Sequence, residues 1–232
     1  MTKQIIEIHS LTEVAQHLSD ETHLFLDLDN TLFTSRSEFG SERWERFMID
    51  HFIREGVTEK EAIERASHLW KAVQTVSEIE FVEEQTHEIV QKLRQKGRPL
   101  FAITARDFLF RSVTEAQLSQ LGLHFSECRA PQGPYSKGVF YCGHIPKGQI
   151  LNLYAKKHHP PHIVLVDDYR SHLEAALDVL EAPFTGLRYG FLDGRKSSYI
   201  PCEITKLFGK IFTHPKASHF LRNGTHKEKT ES

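Results

Sequence analysis

The stretch HLFLDLDNTLF, residues 23–33, places two carboxylates within an otherwise apolar run. Four of the five residues from 24 to 28 are apolar, which predicts a buried strand, yet Asp27 interrupts this segment and Asp29 follows it. Burying a carboxylate without a partner costs several kcal/mol. The two acids are therefore expected where the strand ends, at a solvent-accessible site that supplies a counter-charge.

Short apolar segments separated by helical patterns continue along the chain. Residues 99–103 and residues 163–166 (IVLV) predict two further buried strands, with helices between them and a helix over about residues 82–96 before them. Strands that alternate with helices indicate an α/β fold with a mainly parallel sheet. In such sheets, ligands bind outside the carboxyl ends of the strands.

Polar side chains are concentrated at those predicted strand ends. The residues expected to meet at this edge are Asp27, Asp29, Thr104, Lys147, Asp167 and Asp168. Four carboxylates cannot all stay ionised at close range without a counter-charge. Mg²⁺ prefers hard oxygen ligands and keeps positions open for water and phosphate, so it is the expected cofactor.

These residue types suit phosphoryl transfer. Asp27 is expected to attack a phosphorus atom and form an aspartyl-phosphate, and Asp29 to protonate the leaving oxygen and later activate water. The hydroxyl of Thr104 and the ammonium of Lys147 would hold the remaining phosphate oxygens.

The ordered set of motifs resembles a known superfamily. D-L-D-N-T at residues 27–31, a strand-terminal Thr, Lys-Gly at a helix start and a strand-terminal Asp-Asp pair resemble the four motifs of the haloacid dehalogenase (HAD) superfamily. Taken singly, each motif also has a structural explanation, such as helix capping by the Asp pair, so the order is the specific feature. The resemblance implies a HAD-like Rossmannoid core of three layers.

The resemblance also implies roles for individual residues. It makes Asp27 the nucleophile and Asp29 the acid/base. Magnesium is expected to be bound by Asp27, the backbone carbonyl of Asp29 and Asp168, with Asp167 behind them. The side chains expected to contact the substrate are Thr31, Thr104, Arg106 and Lys147.

A narrower similarity extends over the chain. Five segments are similar to a HAD-like family of unknown function that is common in intracellular bacteria: FGSERWERF, ITAR, VTEAQLSQLGLHF, GVFYCGHIPKGQIL and IVLVDDYRSHLEAA. That family brings no established substrate, and it leaves the roles of Gly40, Ser41, Trp44 and Arg106 undetermined.

The chain is expected to have a core, an insertion and a tail. Residues 1–32 and 81–212 would form the HAD-like core, and the strongly helical residues 33–80 a cap inserted after the first motif strand. Residues 213–232 are polar and predict a flexible tail. A helical cap favours small phosphorylated molecules as substrates.

Composition and cysteine usage bear on the partners and the cellular location of the chain. With 29 basic and 31 acidic residues the chain is nearly neutral, so neither nucleic acid nor membrane is an expected partner. No secretory signal and no long apolar run is visible, and three scattered cysteines fit a reducing compartment. A cytoplasmic location is expected, although secretion without an N-terminal signal would leave no trace here.

Together these features predict a magnesium-dependent phosphohydrolase that acts through an aspartyl-phosphate. Two alternatives stay open. One is a phosphotransferase or mutase, which passes the phosphoryl group to an acceptor other than water. The other is a binding or effector protein on a HAD scaffold, with little or no turnover and a host protein as partner.

Overall fold

The structure is a computed structural model that describes residues 3–36, 39–129 and 133–194. The strands are β1 (Lys3–Ile8), β2 (Thr22–Leu26), β3 (Phe33–Ser35), β4 (Ile79–Phe81), β5 (Leu100–Thr104), β6 (Tyr135–Ser136), β7 (Val139–Tyr141), β8 (His162–Asp167) and β9 (Phe184–Tyr189). The helices are α1 (Glu42–Arg54), α2 (Glu59–Gln74), α3 (Thr86–Gln95), α4 (Arg111–Gln120), α5 (Lys147–His158) and α6 (Arg170–Val179). Two 3-10 turns cover Leu11–His17 and Phe108–Phe110.

Within these residues, seven strands form one sheet in the order β1-β9-β8-β2-β5-β7-β6. Its pairs are parallel except for β6 with β7, which is antiparallel. Strand β2 lies between β8 and β5, so the carboxyl ends of these three strands meet at one edge. The predicted α/β fold with a mainly parallel sheet is confirmed.

The central strands are buried on both faces. Phe25, Ile163 and Leu165 join a buried cluster with residues of α5 and α6. Leu24 and Val164 point to the opposite face, because successive side chains of a strand alternate, and they are equally buried. This explains why the strands appear in the sequence as continuous apolar runs.

The segment between residues 79 and 86 differs from the prediction. A helix was expected from about residue 82, but β4 ends at Phe81 and α3 begins only at Thr86. The amide of Val82 donates to the carbonyl of Leu32 at 3.1 Å, so the chain here pairs with a distant segment instead of starting a helix. The short strands β3 and β4 pair with each other and were not predicted.

The chain forms two compact units. One contains the residues up to Thr34 and Phe81–Gly194, and the other contains Ser35–Glu80. The expected tail, residues 213–232, lies outside the described residues, and the role of the inserted unit as a cap stays a prediction.

The inserted unit contains the residues of the FGSERWERF segment. The side chain of Ser41 caps α1 by accepting from the amide of Trp44 at 3.2 Å, and the Trp44 side chain is buried against α2 in one apolar cluster. Gly40 has a φ of +84°, and a Cβ there would lie 2.6 Å from a methyl carbon of Val73. These three residues therefore have structural roles in packing α1 on α2.

Candidate functional site

Asp27 directly follows β2. Its amide still donates to the carbonyl of Val166 in β8 at 2.9 Å, while its side chain is only 7% exposed. The chain then turns sharply, with the carbonyl of Leu28 accepting from the amides of Leu32 and Phe33. Asn30 has a φ of +60° in this turn, a conformation that Asn tolerates better than most residues. The turn leaves both Asp27 and Asp29 at the carboxyl edge of the sheet.

Lys147 is the first residue of α5 and lies between two carboxylates. Its Nζ is 2.5 Å from Asp27 Oδ1 and 2.6 Å from Asp167 Oδ2. The following residue, Gly148, lets α5 approach α6 closely, since a Cβ there would lie 2.5 Å from the carbonyl oxygen of Ala175. The Lys-Gly pair therefore combines a buried cation with the close packing that places it.

Asp167 and Asp168 end β8 and differ in their surroundings. Asp167 is fully buried and accepts from the amide of Tyr169 at 2.8 Å, from Lys147, and from Nδ1 of His172 at 3.1 Å to each oxygen. Asp168 is partly exposed. One carboxylate oxygen from each of Asp27, Asp167 and Asp168 lies within 4.8 Å of the others, an arrangement that could hold a metal ion.

The buried charges shift one another's pKa values in opposite directions. Burial, reinforced by repulsion from Asp167 and Asp29, raises the pKa of Asp27 to about 7 despite the attraction of Lys147. Burial also disfavours the charged form of Asp167, but Lys147 and His172 outweigh it and hold the pKa of Asp167 below its usual value. The two flanking carboxylates likewise outweigh burial and raise the pKa of Lys147. Asp167 and Lys147 therefore form a fixed ion pair, and Asp27 is the member that titrates near neutral pH.

Asp29 is held by Arg106. Nε of Arg106 donates to Asp29 Oδ2 at 2.8 Å, and Nη2 donates to Oδ1 at 2.7 Å. The Arg106 side chain is 2% exposed and that of Asp29 is 34% exposed. Such a two-point contact fixes the plane of the carboxylate as well as neutralising it.

The two predicted threonines lie in the same part of the sheet. Thr104, at the end of β5, is buried, and its hydroxyl accepts from the amide of Arg106 at 3.2 Å. Thr31 is also buried, and its hydroxyl has no hydrogen-bond partner among the described residues. The expected contacts of Thr104 with phosphate and of Thr31 with substrate stay predictions.

Three residues at the site were not predicted. His172 contacts Asp167 from the first turn of α6, and Thr114 and Gln117 of α4 accept from Nη1 of Arg106 at 3.1 and 2.6 Å. The spacing of His172, five residues after Asp167, was the available signal, because it places an imidazole near the end of the strand. Nothing in the sequence pattern of α4 connects its polar residues to Arg106.

Comparison with known proteins identifies a family. The family model described as Protein of unknown function (DUF2608) matches residues 4–210. A Chlamydia muridarum protein named "Putative outer membrane protein" is 26% identical over 239 residues, which cover 96% of this chain and 92% of that protein. A protein of the same name from Chlamydia trachomatis serovar D is 22% identical over 214 residues, covering 86% and 82% of the two chains.

Two solved structures were also similar at low identity. The class C acid phosphatase from Bacillus anthracis with tungstate bound has a TM-score of 0.39 and 12% identity, covering 86% of this chain and 82% of that chain. A HAD family enzyme from Bacteroides thetaiotaomicron has a TM-score of 0.39 and 12% identity, covering 79% of this chain and 98% of that chain.

The names of the chlamydial relatives correct one expectation. Three of them carry the name of an outer membrane protein, which contradicts the cytoplasmic location expected from the sequence. That expectation relied on the lack of a visible secretory signal, a feature that does not exclude other routes. No helix within the described residues is long and apolar enough to cross a membrane.

Proposed function

The chain belongs to the DUF2608 family, and we propose that it is a magnesium-dependent phosphohydrolase that works through an aspartyl-phosphate on Asp27. The observation that carries this proposal is the buried ammonium of Lys147, shared between Asp27 and Asp167 at 2.5 and 2.6 Å. Because of this contact, the proposed nucleophile lies beside a cation that can also bind a phosphate. The acidic cluster next to it is suited to a metal. The order of the motifs, which resembles that of the HAD superfamily, supports the same chemistry.

The charges at the site favour a divalent cation. Lys147 is shared between Asp27 and Asp167, Arg106 pairs with Asp29, and Arg188 interacts electrostatically with Asp168. The cluster of Asp27, Asp167 and Asp168 offers carboxylate oxygens, the ligands that Mg²⁺ prefers. We propose Asp27 and Asp168 as direct ligands, because the oxygens of Asp167 already accept from Lys147, His172 and Tyr169. A bound Mg²⁺ would reduce the repulsion between the nucleophile and a phosphate dianion.

We propose a role for side chains of the site in each of the two half-reactions. A carboxylate oxygen of Asp27 forms a bond to phosphorus while the bond to the leaving oxygen breaks, and Asp29, which enters this step in its protonated form, delivers its proton to that oxygen. In the second step Asp29 takes a proton from water, which attacks phosphorus, releases inorganic phosphate and regenerates Asp27. Lys147, which contacts Asp27, would stabilise charge on the phosphate oxygens, together with the hydroxyl of Thr104.

We propose a small phosphorylated molecule as the substrate. The nearly neutral composition gives no general attraction to nucleic acid. The helical unit Ser35–Glu80 follows the strand of the nucleophile closely in the sequence, and we propose that it selects the substrate. Comparing kcat/KM for small phosphomonoesters and for phosphopeptides tests this part of the proposal.

The experiment that tests the reaction is hydrolysis of an aryl phosphate with Mg²⁺ and with chelator, for the wild type and Asp27→Asn. The matched control is Asp178→Asn, the same substitution at an exposed position of α6. The expected result is metal-dependent turnover that falls at least about 1000-fold in Asp27→Asn and is unchanged in Asp178→Asn. Acid quenching followed by mass spectrometry should find phosphate on the peptide that contains Asp27.

Three other results would contradict the proposed mechanism or favour one of the alternative functions. Equal rates in wild type and Asp27→Asn would remove Asp27 as the nucleophile. Transfer of most of the phosphoryl groups to an added alcohol would favour a phosphotransferase. A folded wild type that binds Mg²⁺ but turns over no phosphomonoester would favour the binding or effector protein.

A further inference from the structure

We propose that Arg106 is a positioning residue that holds the carboxylate of Asp29 in one orientation for proton transfer. This inference rests on the proposed function, since it assigns the means by which that site aims its acid/base. It differs from the expectation that Arg106 contacts the substrate.

The guanidinium of Arg106 uses separate edges for separate tasks. Nε and Nη2 face both oxygens of Asp29 at 2.8 and 2.7 Å. Nη1 donates to Gln117 Oε1 at 2.6 Å and Thr114 Oγ1 at 3.1 Å. Because both acceptors lie on α4, the helix fixes the guanidinium and the guanidinium fixes Asp29.

Packing adds to this restraint. The centre of the guanidinium lies 5.4 Å from the ring centroids of both Phe33 and Phe110, distances at which cations are attracted to aromatic faces. The amide of Arg106 also donates to the hydroxyl of Thr104. The amide and the guanidinium of Arg106 are therefore both restrained by neighbouring residues, while the side chain of Asp29 stays partly exposed.

The geometry leaves Asp29 able to act. A carboxylate oxygen has two lone pairs, and the two-point contact engages one lone pair of each oxygen. The remaining lone pairs point away from Arg106 in directions set by the fixed carboxylate plane. A freely rotating Asp29 would spend little time in the productive orientation, and a misplacement of about 1 Å can cost about 100-fold in rate.

The test is a double-mutant cycle on aryl phosphate hydrolysis, with Asp29→Asn, Arg106→Gln and the double variant. We expect Arg106→Gln to lower kcat by about 100-fold with KM changed by less than about threefold. In the Asp29→Asn background the same change should alter kcat by less than about threefold, because residues that act as one unit are not additive. Arg106→Lys should recover little of the kcat lost in Arg106→Gln, since an ammonium cannot contact both oxygens of Asp29 as the guanidinium does.

Two further variants separate positioning from folding. Gln117→Leu keeps Arg106 and removes one acceptor of its Nη1, so it should lower kcat in the wild type and not in Asp29→Asn. Arg98→Gln is the matched control: Arg98 is as buried as Arg106, at 5% exposure each, but precedes β5, and its ion pair with the exposed Asp20 is 3.8 Å long. It should lower the melting temperature and leave kcat unchanged.

Specific outcomes would overturn the inference. A large increase in KM with kcat retained would make Arg106 a substrate contact. Losses in kcat that multiply across the cycle would show that Arg106 does not act through Asp29. An equal loss of kcat in Arg98→Gln would show that the loss in Arg106→Gln comes from lower protein stability and not from the position of Asp29. Absence of turnover in the wild type itself would instead overturn the proposed function, and this inference with it.

Discussion

Lys147→Met tests the energetic centre of the site, the ammonium shared by two buried carboxylates. The Lys147 side chain is 2% exposed, and those of Asp27 and Asp167 are 7% and 0% exposed, so water screens none of the charges. Breaking a buried ion pair by removing one partner costs about 3–5 kcal/mol. Met has nearly the same length and keeps the apolar contacts of the Lys stem, so the loss of unfolding free energy should come from the charge.

The loss of stability should depend on pH in a defined direction. Burial holds the pKa of Asp27 at about 7 with Lys147 present, and removing the ammonium raises that pKa further. At pH 8 the variant must bury an unpaired carboxylate or bind an extra proton, whereas at pH 5.5 Asp27 is protonated in both proteins. The destabilisation is therefore largest at pH 8 and shrinks below pH 7 towards the cost at Asp167 alone.

Urea unfolding followed by circular dichroism at pH 8 and pH 5.5 measures this difference. The control is Lys156→Met on the same helix, whose ion pair with Glu181 is 3.1 Å long but more than half exposed on both sides. Such pairs contribute roughly 0–1 kcal/mol. A loss below about 1 kcal/mol for Lys147→Met at pH 8, or one that is equal at both pH values, would refute the reasoning.

Three further predictions concern other parts of the same framework. Gly148→Ala should destabilise the protein by about 1–3 kcal/mol in thermal unfolding, because the added Cβ would meet the carbonyl of Ala175 at 2.5 Å; an unchanged melting temperature would contradict the close packing of α5 on α6. Because burial raises the pKa of Asp27 to about 7, calorimetry should show Mg²⁺ affinity falling about tenfold per pH unit below pH 7 as the metal displaces one proton, and pH-independent affinity would remove Asp27 from the ligands. Burial lowers the pKa of His23 below its ordinary value of 6.5. The contribution of the neutral imidazole to the free energy of unfolding is therefore fully present above pH 6.5 and is lost as the pH falls through the lowered pKa. The decrease in the free energy of unfolding between pH 7.5 and pH 5.5 should be smaller in His23→Gln than in the wild type.

The strands that carry the site were predictable because they are buried on both faces. Residues such as Phe25 and Val164 give uninterrupted apolar runs, and an acid at the end of such a run is conspicuous. The short strands β3 and β4 give no comparable signal. Each has three residues, with polar positions such as Thr34 and Glu80, and they pair only because the chain returns there.

The partners of the acids were harder to predict than the acids themselves. A sequence shows that a cation must be near Asp27, but the side-chain length of Lys147 allows contact with a phosphate, a carboxylate or both. The two carboxylate contacts follow from the close packing of α5 against α6 at Gly148. Likewise, Arg106 follows Thr104 closely in a segment that suits a substrate contact equally well, and only the position of α4 directs it to Asp29.

Lys147 and Arg106 contact three of the carboxylates of the site, and these contacts give the acids different surroundings. Lys147, at the start of α5, forms ion pairs with the buried Asp27 and Asp167. Arg106, which follows β5, forms an ion pair with Asp29. Asp168 is the partly exposed acid of the metal-ligating cluster. Because the two cations come from different elements, the nucleophile and the acid/base can be perturbed separately. Lys147→Met should therefore change the pH dependence of metal affinity, whereas Arg106→Gln should leave it intact and slow only the steps that need Asp29.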